Sequence, residues 1–238
     1  MMDDGTRSGT SEVSIIDTAI LVFGGLLSGA YFGGEVQTEA VKLYSAVDWT
    51  WFLGSHNGKS QFRMGYDPDS ASFAGYWDYY AEQLMLYILG AGSPTEAYRT
   101  DLATYNGFTR AKGGYGKGND FIYSWFGSLF TYQYSLGFVD FRNLVDPNGV
   151  SWWQNSVDAS KAAYQWCVDK KGDYETYSEG SWGLTACDTR TGYNGYLGNK
   201  PRGWTSDASY ESNAACTIAP CGALGSMRPI RYSSEPSI

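Results

Sequence analysis

Hydrophobic positions fall on helical spacings through most of the chain. Residues 14–32 are apolar almost all round, and Ser14 and Asp17 have the spacing of a capping box, with Asp where Glu or Gln is usual. In 35–53, Val36, Ala40, Leu43, Val47 and Trp51 recur at three- and four-residue steps while Gln37, Glu39 and Lys42 face outward. After a polar, glycine-containing loop that includes "QFRMGYDPD", residues 76–91 read as a second all-round apolar helix, ended by Gly90, Gly92 and "SP". A weak helix follows at 95–106, an aromatic-rich, partly helical stretch at 122–141, and an amphipathic helix at 151–171. No strand-like alternation of any length competes with these.

Two kinds of helix result. The all-round apolar ones, 14–32 and 76–91, read as inner elements, and the one-faced ones, 35–53 and 151–171, as outer elements. Inner and outer helices in alternation describe helical pairs set in a ring, an all-α toroid with loops opening at one end. A helical bundle is the alternative architecture.

Two carboxylates interrupt this pattern. Asp17 and Glu82 stand in stretches that are otherwise apolar, and burying a carboxylate costs several kcal/mol unless it is paired or hydrogen-bonded. Asp17 has a bland explanation as a first-turn capping acid. Glu82, read as mid-helix among Ala81, Leu84, Met85 and Leu86, has one as a buried acid bonded to a tyrosine or arginine. The functional reading is an acid facing an enclosed cavity, where an apolar setting keeps it protonated for general-acid work.

The stretch 181–201, "SWGLTACDTRTGYNGYLGNKP", loses periodicity yet keeps Trp182, Thr185, Asp188, Tyr193 and Tyr196 close together. Long irregular loops in compact domains are usually functional or disordered, and disordered segments are poor in rings. A functional loop is therefore expected.

Composition sharpens the choice of chemistry. There are 9 Trp, 20 Tyr and 11 Phe, side chains that offer a flat apolar face, with a polar edge on Tyr and Trp. The net charge of −8, without a basic run, argues against nucleic acid as a partner. "KGGYGKGND" (112–120) lacks the strand and the ending of a phosphate loop and reads as plain loop. Cys167, Cys187, Cys216 and Cys221 match no zinc spacing, and His56, the single histidine, stands in a Gly/Asn/Ser loop that gives no hint of a catalytic triad. A Cys216–Cys221 bridge and small buried thiols are both open. The run 15–27 is too short for a membrane span and carries Asp17, and no signal peptide is visible at the N-terminus. No cofactor is expected. Acids, abundant rings and no metal or nucleotide signature suggest glycoside chemistry, in which one carboxyl protonates the leaving oxygen and another acts as base or nucleophile.

Five stretches, "EVSIIDTAILVFGGLLSGAYF", "AEQLMLYILGAGSPT", "YQYSLGFVDFR", "SWGLTACDTRTGYNGY" and "CTIAPCGALGSMRP", resemble successive motifs of the glycoamylase-like family, which includes endo-β-1,2-glucanases and a domain of cyclic β-1,2-glucan synthases. They come in the family's order across residues 12–229, leaving 1–11 and 230–238 as flexible termini. The resemblance implies an (α/α)6 barrel, a glucan partner and hydrolysis by a carboxylic acid at the position of Glu82, with Asp17 matching a further cleft carboxylate. It implies substrate contacts at Trp77, Asp78, Gln133, Tyr134, Trp182, Thr185 and Asp188. Leu136 stands where many members carry a His, which removes a polar contact. Members are often periplasmic or secreted.

The family continues beyond "GSMRP" to a motif like "GIDQGP", so the chain is expected to be the central part of an incomplete barrel. The leading function is then a glucan-active glycoside hydrolase-like protein, most simply one acting on β-1,2-glucan. The alternative is a carbohydrate-binding or vestigial barrel fragment without turnover. Uncovered barrel faces would favour self-association.

Overall fold

The computed structural model describes residues 2–4, 6–116, 120–124, 126–195, 197–198 and 217–233, with side chains to Met227. Tyr196 and Cys216, and with Cys216 the bridge considered above, lie outside the described residues. Seven α-helices are described: α1 Ile15–Phe32, α2 Gly34–Ala46, α3 Leu84–Ala91, α4 Leu102–Tyr105, α5 Phe130–Phe138, α6 Trp152–Asp169 and α7 Pro220–Ser233. Between them run nine short strands: β1 Val13–Ser14, β2 Leu53–His56, β3 Lys59–Phe62, β4 Gly65–Asp67, β5 Ser72–Ala74, β6 Lys112–Gly113, β7 Phe121–Ile122, β8 Cys187–Thr189 and β9 Gly192–Asn194. All pair antiparallel, in one three-stranded sheet (β1-β4-β5) and three hairpin-like pairs (β2-β3, β6-β7, β8-β9).

The all-α expectation therefore needs correcting to helices with small sheets. Strands of two to four residues are too short to show alternation, so the "QFRMGYDPD" and "KGGYGKGND" stretches read as loop although they hold β4 and β6. The chain divides into two compact units, residues 1–78 with 83–109 and residues 79–82 with 110–238.

In the first unit, Ser14 caps α1 as its spacing predicts, its Oγ accepting the Asp17 N–H at 3.3 Å. Gly33 and Gly34, at φ 66° and 55°, reverse the chain into α2 through the left-handed region that glycine enters freely. The two helices approach closely at Gly29, where a Cβ would stand 2.9 Å from the Gln37 backbone and 3.3 Å from the Ala40 methyl. The helix expected over 35–53 stops at Ala46, and a 3₁₀ turn at Trp49–Phe52 leads into β2. α3 is buried nearly all round, through Leu84, Met85, Leu86, Tyr87 and Leu89, and Tyr87 stacks on Phe108 at 5.4 Å. The expected 95–106 helix is a 3₁₀ turn plus the single turn α4. Ahead of α1, Arg7 holds Asp69 through two bonds of 2.7 and 2.9 Å.

α1 is not the inner element its composition suggests. Ile15, Ala19, Val22, Phe23 and Gly29 are buried, but Leu21, Leu27, Tyr31 and Phe32 are exposed. Its apolar run exceeds residues 15–27: all 18 residues of the helix have a mean hydropathy of 1.7, long and apolar enough to cross a membrane by length and composition.

In the second unit, α6 reverses the outer assignment. It buries eleven side chains on more than one face, Trp152, Val157, Ala159, Ala162, Ala163, Trp166 and Cys167 among them. Tyr80 stacks on Trp152 at 4.7 Å, and the Ser156 hydroxyl donates to the Tyr132 carbonyl at 2.6 Å. Asn155 acts as a strand partner, accepting the Ile122 N–H at 2.7 Å and donating to the Ile122 carbonyl at 3.0 Å. Polar atoms that look outward in a helical-wheel reading are here consumed inside.

Candidate functional site

Within the second unit, α5 presents two different faces. Thr131, Tyr132 and Ser135 are buried, whereas Phe130, Gln133, Tyr134, Gly137 and Phe138, at i, i+3, i+4, i+7 and i+8, line an open cleft of about 520 Å³. Thr185, Ala186, Tyr193 and Cys221 complete the wall.

The start of α5 is clasped by the segment that opens the 181–201 stretch. Leu129 N–H donates to the Leu184 carbonyl at 3.0 Å, and Phe130 N–H to Thr185 Oγ1 at 3.0 Å. Ser128 Oγ donates to Thr185 Oγ1 at 3.3 Å and accepts the Ala186 N–H at 2.9 Å. Thr185 thus accepts two bonds while buried, which leaves its hydroxyl proton to donate elsewhere. α7 closes the other side. Gln133 Nε2 donates to the Gly222 carbonyl and to Ser226 Oγ, both at 2.9 Å, so the amide is immobilised with its Oε1 as the remaining acceptor.

The 181–201 stretch is less irregular than its sequence suggests. Beyond Ala186 it forms the β8–β9 hairpin, turning at Arg190-Thr191, with Gly192 at φ 113°. Residues 199–201 lie outside the described residues.

The cleft gathers Gln133, Tyr134 and Thr185 of the nine residues the sequence nominates. The others stand elsewhere. Trp182 is half-buried, edge-on to Tyr164 at 5.4 Å and packed on the core of Trp166, Cys167, Tyr177 and Leu184. Asp188 is exposed on β8, directly opposite Tyr193. Glu82 is not mid-helix: it is half-buried in the turn that precedes α3, and its backbone carbonyl accepts the Ser135 hydroxyl at 3.0 Å. Asp17 is exposed in the first turn of α1, so it is not a buried acid, because the α1 surface around it is itself open.

Trp77 and Asp78 belong to the first unit. Trp77 is buried, and its indole N–H has no hydrogen-bond partner among the described residues. Asp78 Oδ2 lies 3.6 Å from His56 Nε2, His56 stacks on Tyr76 at 4.5 Å, and the Arg63 guanidinium stands 4.9 Å over that same ring. His56, which gave no signal in its Gly/Asn/Ser loop, thus has a carboxylate partner 22 positions away.

Phe130, Gly137, Phe138, Ala186 and Cys221 are the cleft residues the sequence reading missed, whereas Tyr193 belongs to the loop it singled out. The helical spacing from Phe130 to Phe138 carries a usable signal for the first three. Cys221 is exposed at the cleft, and Cys187 is half-buried on β8 with its thiol pushed up by burial and by the nearby charges of Cys221 and Asp188. Cys167 is buried in the core, and burial pushes its thiol up to about 11. Burial likewise pushes the Tyr132 phenol up to about 12, and its oxygen accepts the Ser124 N–H at 2.8 Å.

Comparison with known proteins places the chain in a family. The glycoamylase family model, described as "Putative glucoamylase", matches residues 75–236. The chain belongs to the glycoamylase family. A curated relative, the exo-β-1,2-glucooligosaccharide sophorohydrolase (non-reducing end) of Parabacteroides distasonis, is 25% identical over 241 positions, covering 89% of this chain and 32% of the relative. Among solved structures, an endo-β-1,2-glucanase from Chitinophaga pinensis, in complex with sophorotriose and glucose, superposes with a TM-score of 0.75 at 24% identity, over 92% of this chain and 53% of that one. A β-1,2-glucanase from Parabacteroides distasonis gives 0.74 at 20% identity, over 93% and 34%. The chain spans about half the length of the first of these structures and a third of the curated relative. The fold is that of these glucanases over the part shared, and a complete (α/α)6 barrel is not what the described residues form.

Proposed function

We propose that this chain is part of a glycoside hydrolase acting on β-1,2-glucan. The observation that carries the reading is the α5 cleft: four aromatic rings surround two polar groups, the Gln133 amide and the Thr185 hydroxyl, each held in place by bonds to neighbouring elements. A sugar ring presents apolar C–H faces edged with hydroxyls, and fixed polar groups among rings answer both properties. Family membership and the β-1,2-glucan activities named for the relatives support the linkage.

In this proposal Glu82 is the general acid. Its carboxyl protonates the leaving glycosidic oxygen while a second carboxylate acts as base or nucleophile, and Asp17 is carried as a further cleft carboxylate. A carboxyl separation of roughly 6.5–9.5 Å would give inversion and about 5–5.5 Å retention. Gln133, Tyr134 and Thr185 contact the sugar in the cleft, with Trp77, Asp78, Trp182 and Asp188 as further contacts along the chain.

The test is incubation of the protein with linear β-1,2-glucan and, separately, with starch, following both binding and new reducing ends. Products from the β-1,2-glucan alone are expected. Replacing Glu82 with Gln keeps the shape and removes the donated proton, so hydrolysis should fall by roughly 10²–10⁴-fold with binding retained. A Glu82→Gln variant that hydrolyses at the parent rate makes Glu82 structural. Binding without products would leave a sugar-binding domain.

A further inference from the structure

The start of α7 packs on the segment that leads into β8, backbone against backbone. Ala219 N–H donates to the Gly183 carbonyl at 2.9 Å. A Cβ on Gly183 would stand 2.7 Å from Ala223 N and 3.0 Å from the Ala219 carbonyl oxygen, so only glycine lets the helix lie this close. Two residues on, a Cβ on Gly222 would stand 3.4 Å from Thr185 Cγ2 and 3.3 Å from Leu129 Cδ1.

Two thiols flank this contact. Cys221, next to Gly222, lines the cleft together with Ala186, and Ala186 is the neighbour of Cys187, the first residue of β8. Cys221 is exposed, Cys187 is half-buried, and both are free. The Cys187 thiol is pushed up by burial and next by the charge of Cys221. Such an influence falls off with distance, in agreement with the packing that brings the two segments together. Cys167, by contrast, is buried in the core with Trp166, Tyr177 and Leu184.

We propose that Cys187 and Cys221 are a redox pair that closes into a disulfide, tying β8 to the start of α7 at the wall of the cleft. The oxidant is a small-molecule disulfide such as oxidised glutathione. The exposed Cys221 thiolate attacks one of its sulfurs, expels a glutathione thiolate and leaves a mixed disulfide. The Cys187 thiolate then attacks Cys221 Sγ and expels the second glutathione thiolate. One S–S bond breaks and one forms, two electrons pass to the oxidant, and the two thiol protons end on two glutathione thiols. Capping Cys221 removes its charge from beside Cys187, which favours the thiolate needed for the second attack. The hairpin is already anchored at its root by the bond from Ala186 N–H to Ser128 Oγ. The disulfide holds the next residue from the side of α7.

The test incubates the reduced, folded full chain with excess oxidised glutathione at about pH 8, where thiolate is available. Free thiols are then alkylated and the protein is digested without reductant and mapped by mass spectrometry. Peptides joined through Cys187 and Cys221 are expected in the parent and in Cys216→Ser alike, and dithiothreitol should separate them. Amide hydrogen exchange over residues 187–194 should slow severalfold in the oxidised parent and stay unchanged in Cys187→Ser treated the same way. A bond from Cys221 to Cys216 or Cys167, or glutathione adducts with no internal bond, overturns the pair. A mapped Cys187–Cys221 bond with unchanged exchange in the hairpin overturns the tether. No sugar is present, so the outcome is independent of the glucan reading.

Discussion

The Ser135 hydroxyl donates to the backbone carbonyl of Glu82 at 3.0 Å. One helix, α5, thus turns Phe130, Gln133 and Tyr134 to the cleft and uses its buried face to pin the turn that carries the proposed acid. Removing the hydroxyl leaves that carbonyl without this bond, at a cost of about 1 kcal/mol. Ser135→Ala should lower the unfolding free energy by about that amount in urea titration. If the turn positions Glu82 for catalysis, kcat on β-1,2-glucan should fall with KM little changed. Loss of stability with kcat intact would make the bond purely structural.

Asp158 gives a pH signature. It is buried on α6, and burial holds its carboxyl above the ordinary carboxylate range, opposed by the Gln154 amide, which donates to Oδ1 at 3.1 Å, and by Lys161. The folded chain thus binds this proton more tightly than the unfolded chain does. The stabilisation is fully present below the unfolded value of 3.8 and is lost as pH rises through the folded value. Asp158→Asn keeps an acceptor for Gln154 and carries no charge. Its melting midpoint should exceed the parent's at about pH 7, and the gap should close towards about pH 3. A constant gap across that range would show that the carboxylate charge is not the cause.

The thiols should react in a fixed order. Cys221 is exposed, Cys187 is half-buried with a raised thiol, and Cys167 is buried with its thiol pushed up to about 11. Since the thiolate is the reacting form, maleimide labelling at about pH 8, read site by site by mass spectrometry, should proceed Cys221, Cys187, Cys167. Cys167 should label only on unfolding. A saturating concentration of β-1,2-gluco-oligosaccharide should slow Cys221 more than Cys187, because only Cys221 lines the cleft.

Local rules within the sequence determined the starts of α1 and α6 and the stop of α3. Ser14 capping α1, Ser151 capping α6 and the glycines closing α3 depend on neighbours within about a turn, and such contacts form wherever the chain lies. The acids and the aromatic share likewise suggested glycoside chemistry, and the ordered motifs, through their resemblance to the glycoamylase-like family, implied a glucan. Which helix is inner could not be read this way. Apolar character shows what a helix can bury, but α1 exposes Leu21 and Tyr31 while α6 buries Asn155 and Asp158, because partners distant in sequence decide burial.

The same limit applied to the site. Glu82 looked mid-helix because apolar residues run through it, yet the helix begins only at Leu84, and a hydroxyl 53 positions away holds the turn. Tyr193 and Asp188 looked like members of a loop until strand pairing set them on one face. His56 had no sequence neighbour to explain it and meets Asp78 across 22 positions. Hydrogen bonds and ring contacts are short-ranged, so their partners are fixed only when tertiary packing brings distant segments within a few ångströms.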